Sequence, residues 1–245
     1  MANLGAADRA LAGMLAEARR EGRQISTAVE PPADPYAVQD EVTRLLGWEV
    51  LGWKIAATTP VMQARLRMSE PIRGRSFRRF AVSGPARFRH ADLLDPLVEA
   101  EFFVTLAADA PRGAKLADIQ IARIQAGIEI AECRFPMASL PAPAAILADG
   151  CASGRYVFGP DIPAGTDLAA MPVEVWVNGA RRRTGSGADV MGHPLAALEW
   201  LAAQVALRGG ETISTGSATG MLPARMGNVI EARFGALPPI RIDFD

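Results

Sequence analysis

Along the first forty-odd residues the apolar positions recur with helical spacing. Leu11, Met14, Leu15 and Ala18 fall at i, i+3, i+4 and i+7, one face of a helix, and Glu21-Gly22 supplies a stop. A loop with Pro31, Pro32 and Pro35 follows, and Ala37–Leu46 reads as a second amphipathic helix ending at Gly47. From Trp48 the pattern changes to short apolar runs broken by Gly and Pro, the pattern of strands. Val50–Ala56, Pro96–Ala107, Gly127–Ala131 and Gly154–Gly159 are the strand candidates, and Pro60–Met68 forms a short helix between the first two. Asn178-Gly179 sits between strand-like flanks within Val173–Thr184, a strong hairpin signal. Pro194 suits the first turn of a helix over His193–Leu207, whose apolar positions nearly encircle it and predict burial. Thr212–Thr215, Asn228–Phe234 and Ile240–Phe244 return to strand. Residues 135–148, with several Pro and Ala, read as a mobile loop. The expectation is an α+β, β-rich fold with a helical region over residues 1–47 and a β-rich domain over 48–245.

Composition narrows the function classes. A chain of 245 residues with 49% hydrophobic and 22% charged residues buries a large core without disulfide or metal staples. The formal net charge of -1 gives no reason to expect a nucleic-acid or anionic-membrane partner. No apolar run approaches bilayer length, the N-terminal stretch lacks a signal-type apolar segment, and Cys133 and Cys151 form no metal or disulfide spacing. These features read as cytoplasmic. The basic residues are almost all Arg. Lys54 and Lys115 are the only lysines, so a Lys inside the apolar run Gly52-Trp53-Lys54-Ile55 stands out.

Candidate chemistry gathers on three acids. In Leu97-Val98-Glu99-Ala100-Glu101-Phe102 the even positions are apolar and face a core, while Glu99 and Glu101 share the other face, ~6.6 Å apart along a strand. Like charges at that spacing suit a solvated face or a bridging cation, and a hard ion such as Mg²⁺ takes such oxygen ligands. Glu129 lies between Ile128 and Ile130, where a bare carboxylate is costly; a salt bridge to Arg134 or a share in the same metal site would satisfy it. Lys54 either snorkels out of its strand or, buried beside a metal, binds a carboxylate and moves protons. Arg73 and Arg75 read either as surface loop residues or as holders of a second substrate carboxylate. His193 reads as a helix cap and Cys151 as a small buried residue in a Gly-rich turn.

The ordered stretches Pro35-Tyr36-Ala37-Val38-Gln39-Asp40-Glu41, Gly52-Trp53-Lys54-Ile55, Val98-Glu99-Ala100-Glu101, Ile128-Glu129-Ile130 and Ala148-Asp149-Gly150-Cys151-Ala152-Ser153-Gly154 carry a resemblance. Gly185-Ser186-Gly187-Ala188, Gly192-His193-Pro194-Leu195 and Ser214-Thr215-Gly216-Ser217 complete it. From about residue 35 onward the chain resembles the 2-keto-4-pentenoate hydratase / 4-oxalocrotonate decarboxylase group of the fumarylacetoacetate hydrolase superfamily. The resemblance implies a mixed β-sandwich or β-roll core with an N-terminal helical region, a homo-oligomer, and Mg²⁺ or Mn²⁺ as cofactor. It implies Glu99, Glu101 and Glu129 as metal ligands, Lys54 as the active-site lysine and Leu97 as a pocket residue. Thr215–Gly220, with Ser217 and Thr219, matches a loop at the pocket wall. The implied activity is a lyase, hydratase or decarboxylase, on a small 2-hydroxydienoate or 2-oxoenoate from aromatic-compound degradation. An acylpyruvate-type hydrolase or tautomerase, or a silent oxo-acid binder, is the alternative. One departure bears on the reaction: Ile72 stands where characterised hydratases carry an acid, with Glu70 as the nearest substitute.

Overall fold

The computed structural model describes residues 4–245. The chain opens with α1 (Ala6–Glu21), stopped by Gly22 in the left-handed conformation, and α2 (Pro35–Leu46), capped by the Asp34 side chain accepting from Ala37 N. Next come β1 (Val50–Ala56), α3 (Pro60–Leu66), β2 (Ile72–Phe77), β3 (Ala81–Ser83) and β4 (Ala86–Phe88). The long strands β5 (Leu97–Leu106) and β6 (Ile121–Ala131) are followed by α4 (Pro143–Ala148), β7 (Arg155–Asp161), β8 (Pro172–Val177) and β9 (Ala180–Ser186). The chain ends with α5 (Pro194–Gln204), β10 (Thr212–Ser217), β11 (Leu222–Pro223), β12 (Val229–Phe234) and β13 (Ile240–Phe244).

Two mixed sheets form the core. The larger runs β2-β1-β10-β5-β6-β7-β3, with β11 added beside β5, and the smaller runs β4-β13-β12-β8-β9. Apolar side chains from both sheets, among them Phe102, Val104, Ile128, Val175, Phe234 and Ile242, interlock in one core with Leu198 and Leu201 of α5. A second apolar cluster joins Leu11 and Leu15 of α1, Val38 and Val42 of α2, and Ala145 and Ala148 of α4 to Phe77 of β2. Among the described residues, no helix is long and apolar enough to cross a membrane.

Several expectations change. The segment 135–148 is not an unstructured loop: Pro143 starts α4, which buries Ala145, Leu147 and Ala148. Sequence reading missed β2, because Pro71, Gly74 and the two arginines of Ile72-Arg73-Gly74-Arg75 give the stretch the composition of a loop although it alternates as a strand. The face of β5 that carries Glu99 and Glu101 is not a solvated face, since every residue from Val98 to Val104 is buried. One expectation holds: His193 caps α5, its Nδ1 accepting from Leu195 N at 3.1 Å.

Candidate metal and substrate site

Three strands of the larger sheet deliver the acidic groups and the lysine to one point. Across β5 and β6, Glu99 stands directly opposite Glu129. Like charges in that relation repel, so a cation has to compensate them. Lys54 of β1 does so in part: its Nζ lies 2.9 Å from Glu129 Oε1 and 3.8 Å from Glu99 Oε2. Lys54 is only 2% exposed and does not snorkel; Glu129 pairs with Lys54 and not with Arg134.

Glu101 takes its donors from β10, and Ser214 Oγ also reaches Glu129 at 3.3 Å. Glu101 accepts from Gly216 N at 3.0 Å and from Ser214 Oγ. An irregularity in the β10–β5 pairing between Ser214 and Ser217 turns that amide toward the carboxylate. Gly216 has φ 103°, and a Cβ there would lie 2.5 Å from Thr58 Cγ2, so the position demands glycine.

One carboxylate oxygen each from Glu99, Glu101 and Glu129 lies within 4.8 Å of the others. Burial pushes the Glu99 carboxyl up to about 7, with Lys54 opposing and Glu129 adding to the rise. Burial, then the charges of Glu129 and Glu99, hold Glu101 well above the usual carboxylate range. Burial alone would lower Lys54, but Glu129, Glu99 and Glu101 outweigh it and hold the ammonium above its ordinary value. Three buried carboxylates against one ammonium are short of positive charge, and all the free donor atoms are hard oxygens. That donor set fits Mg²⁺ or Mn²⁺.

A second layer supports this cluster. Tyr156 Oη donates to Glu129 Oε1 at 3.3 Å and lies 2.8 Å from Ser153 Oγ. The Ser153 carbonyl accepts from Arg134 Nη2 at 2.9 Å. Arg134 Nε and Arg19 Nη2 lie 3.0 and 3.1 Å from Asp149 Oδ1, both fully buried pairs. A chain of contacts therefore runs from α1 to Glu129. Sequence reasoning missed Tyr156, Ser214 and this clamp; a Tyr and a Ser alternating with apolar residues in short strands were the available signals.

Lys54 and Glu99 bring the cluster to the wall of a cavity of about 330 Å³ that is mainly apolar. Lys54, Glu99, Leu97, Ser217 and Thr219 line it, together with Ile72, Cys151 and, at its mouth, Arg65 of α3. Burial pushes the Cys151 thiol up to about 12, which removes it as a nucleophile at neutral pH. Glu70 does not replace the missing acid: it is exposed and accepts from Trp200 Nε1 at 3.3 Å. Arg73 is not brought to this cavity. Its guanidinium stacks 3.8 Å from the centre of the Tyr36 ring, in a separate pocket.

Comparison with known proteins bears on this site. Residues 50–244 match the fumarylacetoacetate (FAA) hydrolase C-terminal family. A 2-keto-4-pentenoate hydratase of Paraburkholderia xenovorans (strain LB400) is 30% identical over 230 residues, covering 86% of this chain and 83% of the relative. A 4-oxalocrotonate decarboxylase of Pseudomonas sp. (strain CF600) is 29% identical over 225 residues, covering 86% and 85%. The solved structure of 4-oxalocrotonate decarboxylase from Pseudomonas putida G7, complexed with magnesium and adipate, superposes with a TM-score of 0.88 at 26% identity. It covers 97% of each chain.

Proposed function

This chain belongs to the FAA hydrolase C-terminal family, and on that premise we infer that it is a divalent-metal-dependent lyase of 2-hydroxydienoates or 2-oxoenoates. The observation that carries the reading is the meeting of Lys54 with Glu99, Glu101 and Glu129, with Lys54 and Glu99 on the wall of an apolar cavity. In this reading Glu99, Glu101 and Glu129 hold Mg²⁺ or Mn²⁺ through carboxylate oxygens. When bound, the ion supplies Lewis acidity that favours negative charge on the 2-oxygen of an oxo acid.

Lys54 enters the reaction as an ammonium, because the neighbouring carboxylates hold its proton. Its Nζ–H groups bind the substrate's carboxylate or 2-oxygen, and in ketonisation of the dienol Lys54 gives a proton to carbon and regains the one that the 2-hydroxyl loses. Leu97, Ser217 and Thr219 line the carbon chain's path. The apolar wall keeps water away from the reacting carbons.

Within this class the cavity favours loss of CO₂ over addition of water. Ile72 puts an apolar side chain on the wall where characterised hydratases of the group this chain resembles carry an acid that would activate water. Two other acids on the lining, Asp95 and Asp189, are engaged: Asp95 accepts from Gln24 and Met137, and Asp189 from Ser186. Arg65, exposed at the mouth, is the cation available to a second substrate carboxylate. The family resemblance adds the expectation of a homo-oligomer in the cytoplasm, which light scattering and cell fractionation check.

The deciding experiment follows dienol absorbance with 2-hydroxypentadienoate and with 2-hydroxymuconate, in Mg²⁺ or in EDTA, with CO₂ collected. Metal-dependent decay and CO₂ from the diacid are expected. Water addition without CO₂ would select the hydratase, and no metal-dependent decay with either substrate would sink the lyase reading.

A further inference from the structure

The pocket that holds Arg73 has a chemistry of its own. It has a volume of about 260 Å³, and Tyr36, Gln39, Trp53, Arg73, Arg75 and Val205 are among its lining residues. It lies behind the strands that serve the first cavity. Trp53 and Lys54 are consecutive in β1, so their side chains leave opposite faces of the sheet. Arg75 and Arg73 stand opposite Trp53 and Ile55 across the β1–β2 ladder and share the Trp53 face. A molecule in this pocket therefore cannot touch Lys54.

The pocket is rich in donors. The Arg73 guanidinium lies flat on Tyr36, 3.8 Å from the ring centre, and Arg75 lies on Trp53 at 3.5 Å. Stacking fixes both planes and leaves their N–H edges free to point at a ligand. Arg75 gives one nitrogen to Glu211 at 2.9 Å, which neutralises it. Arg73 has no such partner: among the described residues its side chain makes no ion pair within 4.0 Å, and its Nε is buried without an acceptor. Trp53 Nε1, in the same lining, is also buried without an acceptor. The acceptor of the Gln39 amide is already taken by Arg75 N at 3.2 Å. Asp40 also lines the pocket; it is exposed, and its charge acts on both arginines from outside ion-pair distance.

Buried donors without acceptors and a cation without an ion-pair partner are costly, and an oxyanion relieves both at once. We propose that this pocket is a binding site for a small oxyanion, carboxylate or phosphate, gripped by Arg73 with help from Arg75 and the Trp53 indole N–H. Its position on the back of β1 and β2 makes it a second site, separate from substrate binding.

Calorimetric titration of the Mg²⁺-loaded full chain with inorganic phosphate and, separately, with succinate tests this. Saturable binding of one equivalent is expected, and the tighter probe names the source of the anion. Arg73→Met should weaken it by roughly tenfold or more, with a melting curve run beside it to confirm folding. Ala206 is exposed on the pocket lining, so Ala206→Glu places a competing carboxylate there without disturbing the core and should weaken binding likewise. Lys54→Met should leave it unchanged. No saturable binding of either probe would overturn the proposal. So would unaltered affinity in Arg73→Met and Ala206→Glu, or a loss confined to Lys54→Met, which would put the anion in the first cavity.

Discussion

The acids of the cluster share Lys54 and Ser214 as donors, but each residue has its own role, so single substitutions have separable outcomes. Glu101 has Gly216 N and Ser214 Oγ as fixed donors, and Glu101→Gln keeps the shape while removing one anionic ligand. Mg²⁺ affinity should fall by roughly tenfold or more, read by titration calorimetry; an unchanged affinity would remove Glu101 from the ligand set. Lys54→Met takes away the ammonium but no ligand. Turnover should fall by about 10²–10⁴-fold, the usual size of a proton-transfer contribution, while Mg²⁺ affinity is kept or rises. Tyr156 touches no substrate; it holds Glu129 through one hydrogen bond. Tyr156→Phe should lower Mn²⁺ affinity by about tenfold, measured by electron paramagnetic resonance, with little change in the melting temperature. A large drop in melting temperature at unchanged Mn²⁺ affinity would make Tyr156 a packing residue only.

The elements of the fold differ in how far the sequence declares them. Helical spacing in α1 and α2 and the Asn178-Gly179 hairpin of β8 and β9 depend on near neighbours, so local pattern was enough. The segment of α4 was hidden because Pro143 reads as a breaker and acts as a first-turn residue. The parallel pairing of β1 with β10, which sets Lys54 beside Ser214, joins residues far apart in sequence and leaves no local trace. The carboxylate pair Glu99 and Glu101 was legible from strand alternation, and Glu129 from its apolar flanks. The partner of Glu129 was not legible, because Arg134 is near in sequence while Lys54 is near only in space. The clamp between elements is the extreme case: Arg19 of α1 and Arg134 meet on Asp149, at the end of α4. Asp149→Ala would leave two buried guanidiniums facing each other without a counterion. Such a loss costs about 3–5 kcal/mol, which urea unfolding would register; a cost under about 1 kcal/mol would show that water reaches the clamp.

For the molecule as a whole, the acidic cluster proposed to hold the metal, with Lys54 beside it, draws three strands of the larger sheet, β1, β5 and β6, to one point. In the metal-free protein burial favours the protonated forms of Glu99 and Glu101, and a bound cation takes the place of those protons. A bound cation therefore acts on stability as well as on chemistry, because it binds the folded arrangement and finds no such site in the unfolded chain. With Mg²⁺ at 100 times its dissociation constant, linkage gives about 2.7 kcal/mol of added stability. For a chain of this size 1 kcal/mol shifts the melting temperature by about 2–4 °C. Chelation by EDTA should then lower the melting temperature by about 5–10 °C and abolish turnover together, both restored by added Mg²⁺. The control is Glu101→Gln, in which the shift should shrink or vanish. The same shift in that variant would mean that Mg²⁺ stabilises the fold from somewhere other than these three carboxylates. Lost turnover without any shift would mean that the ion is held by the substrate more than by the protein.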